Sequence, residues 1–225
     1  MKKIFLSMSL ILTLIYADNI MNYKEMCMTD KNVTACGAVG ADFMGKKKYQ
    51  ESRRYHKMAC ENREFRSCAE LGTIYVKGLG VKKDIKKALE LYKKGCDGGD
   101  ALSCNNAGMV YTLNLKDNKK AFKYFNKAAQ KYLALGLFNR GTSYFNGIGT
   151  QVNKEKAFED FKMSCYEKNK NACTNLGIMF AYGNGIKRDL PRALQTFKLG
   201  CKYGDKKSCT YAKHIEKTIK KFTNK

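Results

Sequence analysis

The sequence predicts an all-α fold built from repeated helical hairpins that disulfides staple together. Three observations predict it. Cysteines recur in close pairs, a glycine and an aromatic recur in one register, and the chain between them carries the start and stop signals of two helices per unit.

The ten cysteines fall as Cys27/Cys36, Cys60/Cys68, Cys96/Cys104, Cys165/Cys173 and Cys201/Cys209, eight or nine residues apart within each pair. Such pairs can hold a metal, serve catalysis or close disulfides, and the N-terminus bears on the choice. MKKIFLSMSLILTLIYA has a basic start, an apolar run from Ile4 to Tyr16, and Ala17 ahead of polar residues, the layout of a secretory signal peptide. The run is shorter than a membrane span of about 20 residues. Ile15 stands where a small residue is usual before cleavage, so an uncleaved anchor is the alternative. The chain is therefore expected to be secreted or periplasmic, without stable membrane insertion after cleavage. Paired cysteines oxidise in such compartments. Zinc sites favour cysteines two to four residues apart, whereas seven residues intervene in four of these pairs and the chain has only His56 and His214. No metal or other cofactor is expected, and the spacing suggests five local bridges, although spacing alone leaves the connectivity open.

The pairs themselves repeat. Cys60 to Cys96 and Cys165 to Cys201 are both 36 residues, and the 69 residues from Cys96 to Cys165 hide a unit shortened by three, with Ala129 and Leu137 at the cysteine positions. Gly40, Gly72, Gly108, Gly141 and Gly177 recur at intervals of 32, 36, 33 and 36, and Phe43, Tyr75, Tyr111, Tyr144 and Phe180 each follow by three. A helical glycine costs about 1 kcal/mol relative to alanine, so its recurrence predicts a close helix crossing, with the aromatics filling the adjoining core.

Each unit reads as two helices. CAELGTIYVKG is the first, GLG breaks it, and DIKKALELYKKGC is the second, with Asp84 as N-cap and Ile85, Ala88, Leu89 and Tyr92 as an apolar stripe. Asp117, Asn153 and Asp189 are the corresponding caps, and Gly147/Gly149 and Gly183/Gly185 supply the same break. Pro191 falls in the first turn of its helix, where a missing donor is harmless. The turn CDGGDALSC carries Asp100 as the next cap. The expected organisation is a signal peptide at 1–17, a capping segment at 18–35, and five repeats at 36–67, 68–103, 104–136, 137–172 and 173–208. A basic capping helix at 209–225 completes it.

CAELGTIYVKGLGV at 68–81 and CTNLGIMFAYGNGI at 173–186 follow the motif A-x-x-L-G-x-x-Y-x-x-G-x-G-V, with Cys68 and Cys173 at its alanine position and Phe180 and Ile186 at the tyrosine and valine positions of the second. With the D-x-x-K-A-L-x-x-Y-x-K-G-C pattern that follows the first, it resembles a Sel-one-like repeat, a relative of the tetratricopeptide repeat. With an export signal and a cysteine pair per unit, the chain resembles the Helicobacter cysteine-rich protein family over essentially its whole mature length. The resemblance implies a right-handed superhelical solenoid of stacked hairpins with a concave face for ligands. It implies two functions, binding of peptides or proteins and weak β-lactamase activity on penicillin-like compounds, and fold alone does not choose between them. The chain departs from the pattern in the shortened unit after Cys104, which lacks loop glycines, in the absent bridge at Ala129/Leu137, and in the short first unit.

The residues favour binding. A serine β-lactamase needs S-x-x-K, which is absent; Thr218 to Lys221 has the spacing, but it lies in the basic terminal helix with no partner motif. Two histidines are too few to suggest zinc hydrolysis, and the staples consume the cysteines, so no catalytic residue is assigned. Asn106, Asn139 and Asn175 occupy one first-helix position in successive units, two residues before the recurring glycine, with Glu70 in the unit before. Such a row can clamp an extended backbone or a carboxylate; bonding between neighbouring helices is the alternative. The expected ligand is a peptide, a peptidoglycan fragment or a protein partner, with β-lactams as the alternative, on a monomeric protein.

Charge adds less. The net charge is +23, but 36 of the 43 basic residues are lysines, and a solvated lysine face accounts for most of that excess. Export argues against nucleic acid as a partner.

Overall fold

The computed structural model describes residues 19–30 and 32–223; the export signal read in residues 1–17 lies outside them. Among the described residues every regular element is helical. In chain order they are α1 (19–28), α2 (Val33–Gly45), α3 (Tyr49–Glu61), α4 (Phe65–Lys77), α5 (Ile85–Asp97), α6 (Ala101–Val110), α7 (Asn118–Ala129), α8 (Ala134–Asn146), α9 (Lys154–Tyr166), α10 (Lys170–Tyr182), α11 (Leu190–Lys202) and α12 (Lys206–Thr223). None of them is long and apolar enough to cross a membrane. Two compact units divide the chain, one ending at Ser103 and the other beginning at Cys104. In the first, α2 packs on α3, α3 on α4, and α4 on α5; in the second, each helix from α7 to α12 packs on the next.

The helices begin where the caps require. Lys87 N donates to Asp84 Oδ1 at 2.9 Å, Lys120 N to Asp117 Oδ1 at 3.0 Å, Lys156 N to Asn153 Oδ1 at 2.8 Å and Arg192 N to Asp189 Oδ1 at 2.8 Å. Each bond satisfies one of the amides that a helix start leaves without a partner. The capped residue itself is a cation, and its side chain lies over the aromatic of the preceding helix. Lys87 sits 4.5 Å from the Tyr75 ring centroid, Lys120 5.7 Å from Tyr111, Lys156 5.5 Å from Tyr144 and Arg192 6.0 Å from Phe180. Part of the lysine excess thus packs on rings.

First helices end at Gly78, Gly147 and Gly183, all left-handed at φ 69° to 70°. The second loop glycine has another purpose. A methyl on Gly149 would collide with the backbone oxygen of Asn118, so the loop seats directly on the start of α7. The shortened unit lacks this turn. There the helix runs on through a π-helical turn, Tyr111–Leu115, and stops at Lys116 with φ 56°.

The recurring glycines are helical, as expected, but what presses on them is a ring and not a crossing backbone. A methyl on Gly72 would lie 2.6 Å from Tyr92, on Gly108 2.5 Å from Phe125, on Gly177 2.6 Å from Phe197 and on Gly40 2.9 Å from His56. Tyr92, Phe125, Phe161 and Phe197 are all buried at the same second-helix position, which makes this ring the centre of each hairpin. Of the aromatics three residues after the glycines, Tyr75 and Tyr111 are buried, while Phe43, Tyr144 and Phe180 are half-buried.

Cys27 is bonded to Cys36, Cys60 to Cys68, Cys165 to Cys173 and Cys201 to Cys209, with α-carbons 4.6 to 4.8 Å apart. Cys96 and Cys104 are disulfide-bonded as well, and no cysteine is free. Such bonding is that of a chain in an oxidising, extracellular or periplasmic environment.

Candidate functional site

Asn106, Asn139 and Asn175 lie on α6, α8 and α10, the first helices of three successive hairpins of the second unit, and all three are half-buried. They are not equivalent. Asn139 Nδ2 donates to Oδ1 of buried Asn105 at 2.8 Å and faces Met109 Sδ at 3.8 Å. Asn105 in turn offers its Nδ2 to Asn106 Oδ1 at 3.5 Å. Asn139 thus joins α8 to α6, the structural role weighed against a clamp, while the Asn106 contact stays within α6.

Asn175 differs. Its amide makes no hydrogen bond to any described side chain or backbone group, and it stands at the edge of a cleft of about 220 Å³ with Asn146, Phe145, Phe161 and Ile178. Asn146 spends one N–H on the Thr142 carbonyl at 3.1 Å. A second, smaller cleft shares Ile178 and continues along Ala181, Phe197, Tyr211 and Ile215. Amide groups beside apolar hollows can pair with a peptide backbone while the hollow takes a side chain.

Beside Asn139 is a group that the repeat pattern did not reveal. Arg140 donates from Nε to Asp160 Oδ2 at 2.9 Å, from Nη2 to Oδ1 at 2.6 Å and from Nη1 to Asn126 Oδ1 at 2.8 Å. Asp160 is 5% exposed. Its hydrogen-bonded carboxylate raises the Arg140 pKa above the ordinary guanidinium value. Other repeats place Leu71, Ala107 and Leu176 at the Arg140 position, so the departure from an apolar residue was the available signal.

Glu70 belongs to the first unit, where Arg66 Nε lies 3.5 Å from its Oε1. It borders a cleft of about 340 Å³ together with His56, Glu64 and Ser67. His56 is 2% exposed, its Nδ1 is 3.0 Å from Ser67 Oγ, and burial lowers its pKa to about 4. No group of three or more residues suited to a metal occurs among the described residues.

The Sel1 repeat model matches the chain at 35–63, 66–100, 102–132, 134–167 and 170–205. A Sel1 repeat protein from Oxalobacter formigenes is 27% identical, with a TM-score of 0.72 over 78% of this chain and 74% of that one. A protective antigen of uropathogenic Escherichia coli with an SLR fold is 22% identical, with a TM-score of 0.74; the likeness covers 87% of this chain, which spans 47% of the antigen's length. Helicobacter pylori cysteine rich protein B is 29% identical over 58% of this chain and 96% of that one, with a TM-score of 0.48. None of the curated proteins is significantly similar in sequence. Five matched repeats occupy most of the chain, which belongs to the Sel1 repeat family.

Proposed function

We propose that the protein works outside the cytoplasm as a binding protein, taking an extended peptide-like segment, from a protein or from peptidoglycan, along α6, α8 and α10. Stacked helical repeats of this kind bind protein and peptide partners. The observation that carries the reading is Asn175, an amide with no internal partner beside an apolar hollow bounded by Phe145, Phe161 and Ile178. The hollow accepts one apolar side chain, and the Asn175 amide, with both a donor and an acceptor, pairs with the backbone next to it. Residues 104–225 hold 24 Lys and Arg against 8 Asp and Glu, which favours acidic segments over basic ones. No constellation of the described residues favours β-lactam hydrolysis.

Fluorescence polarisation with labelled decapeptides, acidic or basic and each with a central leucine, tests the reading. Asn175→Ala should weaken binding of the acidic peptides roughly tenfold with an unchanged melting temperature. Asn139→Ala should instead lower stability by about 1 kcal/mol, because buried Asn105 loses its donor. Equal binding by wild type and Asn175→Ala would refute the assignment, and saturable turnover of a chromogenic cephalosporin by the purified protein would favour an enzyme.

A further inference from the structure

The first repeat breaks the pattern of the other four at three positions, two of them buried on α3 and one half-buried on α2. Gly37 follows Cys36, where the other repeats carry Ala69, Asn105, Phe138 and Thr174. Ser52 stands where they carry Ala88, Ala121, Ala157 and Ala193, and His56 where they carry Tyr92, Phe125, Phe161 and Phe197. Ser52 and His56 are 0% and 2% exposed, one helical turn apart on α3, and Ser52 Oγ and His56 Nε2 have no hydrogen-bond partner. Unpaired buried polar atoms cost about 1–3 kcal/mol each. An alanine and a phenylalanine would avoid that cost, as the other repeats do.

Two of these departures, Gly37 and His56, line the cleft of about 340 Å³. With no side chain at 37, the space above α2 is walled by Ser67 Oγ and Glu64 Oε2, which lie 3.1 and 3.2 Å from where a β-carbon on Gly37 would be. His56 backs Ser67, Nδ1 to Oγ at 3.0 Å. Whether Ser67 donates to the imidazole or accepts from it, the hydroxyl oxygen keeps a lone pair for the cleft. Glu64 already accepts from Ser67 N at 2.7 Å and has no ion-pair partner among the described residues, whereas Glu70 has Arg66. Beside the Arg66–Glu70 pair, the cleft therefore presents acceptors and one carboxylate without an ion pair, in a chain of net charge +23.

We infer that this cleft is a second binding site, for a primary ammonium group held by Glu64 and Ser67 with His56 fixing the Ser67 hydroxyl. An ammonium supplies three donors and the missing positive charge, and the charge-assisted bond to Glu64 dominates. Either a lysine side chain or a chain amino terminus has this chemistry.

The two histidines allow a direct test with protein carrying ¹³C-labelled histidine at pH 7, titrated with Nα-acetyl-lysine methylamide, glycine methylamide and Nα-acetyl-norleucine methylamide. The His56 ring signals should shift saturably, with those of His214 still, for the two ammonium compounds and not for the norleucine derivative. The tighter of the two distinguishes side chain from terminus. Gly37→Ala, which fills the space and favours the helix, should hold the melting temperature and weaken binding roughly tenfold or more. Should that variant fail to fold, Glu64→Gln, whose amide oxygen still caps Ser67 N, should show the same loss. No saturable shift, an equal shift with the norleucine derivative, or undiminished binding in the folded variant overturns the site.

Discussion

Lowering the pH should loosen the first unit through His56. The side chain is buried against Gly40, and burial holds its pKa at about 4 against 6.5 in the unfolded chain. Between those values the unfolded chain binds a proton that the folded chain refuses. The folded-state pKa is depressed, so the stabilisation is complete above pH 6.5 and is lost as pH falls toward 4. By linkage the loss is about 2 kcal/mol at pH 5 and about 3 kcal/mol at pH 4. Asp117 and Asp205 also have lowered values, but carboxylates of that kind lose stabilisation below about pH 4, outside the window. The variant His56→Phe with Ser67→Ala installs residues that other repeats use, Phe161 and Ala172, and leaves no orphaned hydroxyl at position 67. Amide hydrogen exchange of α2, α3 and α4 at pH 7 and 5, corrected for intrinsic rates, reads the unit locally. Wild type should lose about 2 kcal/mol of opening free energy and the variant under 0.5. Equal losses in both proteins would show that His56 is not the proton acceptor.

Two further outcomes follow from the packing. Ala129 and Leu137 are buried at the positions where other repeats hold a bridge with α-carbons 4.6 to 4.8 Å apart. Ala129→Cys with Leu137→Cys should therefore oxidise in the folded protein, seen as a bridged peptide in non-reducing mapping, with a gain of at most about 2.5 kcal/mol from loop closure. Arg140→Leu alone should cost about 3 kcal/mol in urea unfolding by stranding Asp160, whereas Arg140→Leu with Asp160→Leu should recover most of it.

Much of the hairpin architecture was legible because it rests on local chemistry. Asp84, Asp117, Asn153 and Asp189 cap because the bond spans three residues, and Gly147 and Gly183 end helices because a left-handed φ favours glycine. What stayed hidden joins distant residues. The ring on Gly72 comes from Tyr92, twenty positions on, and in the first repeat that ring is His56, which broke the series. Arg140 and Asp160 are likewise twenty apart. The asparagine row was visible, yet only the fold says that Asn139 turns toward Asn105 of the preceding hairpin while Asn175 keeps its amide open. The π-helical turn at Tyr111–Leu115 answers a deletion whose position the repeat register revealed but whose repair it did not.

Within each unit a staple ties the end of one hairpin's second helix to the start of the next hairpin's first helix, as Cys60 in α3 does with Cys68 in α4 and Cys165 in α9 with Cys173 in α10. A repeat excised between staples therefore carries one cysteine at its head and another near its tail, each owed to a different neighbour. Duplication of such a piece leaves every thiol matched, so the array can lengthen without rewiring. Loss is more constrained. Removing one cysteine strands its partner as a reactive thiol in an oxidising medium, prone to crosslink one molecule to another. Only the joint replacement of both ends escapes this, and the junction with Ala129 on one side and Leu137 on the other has lost both.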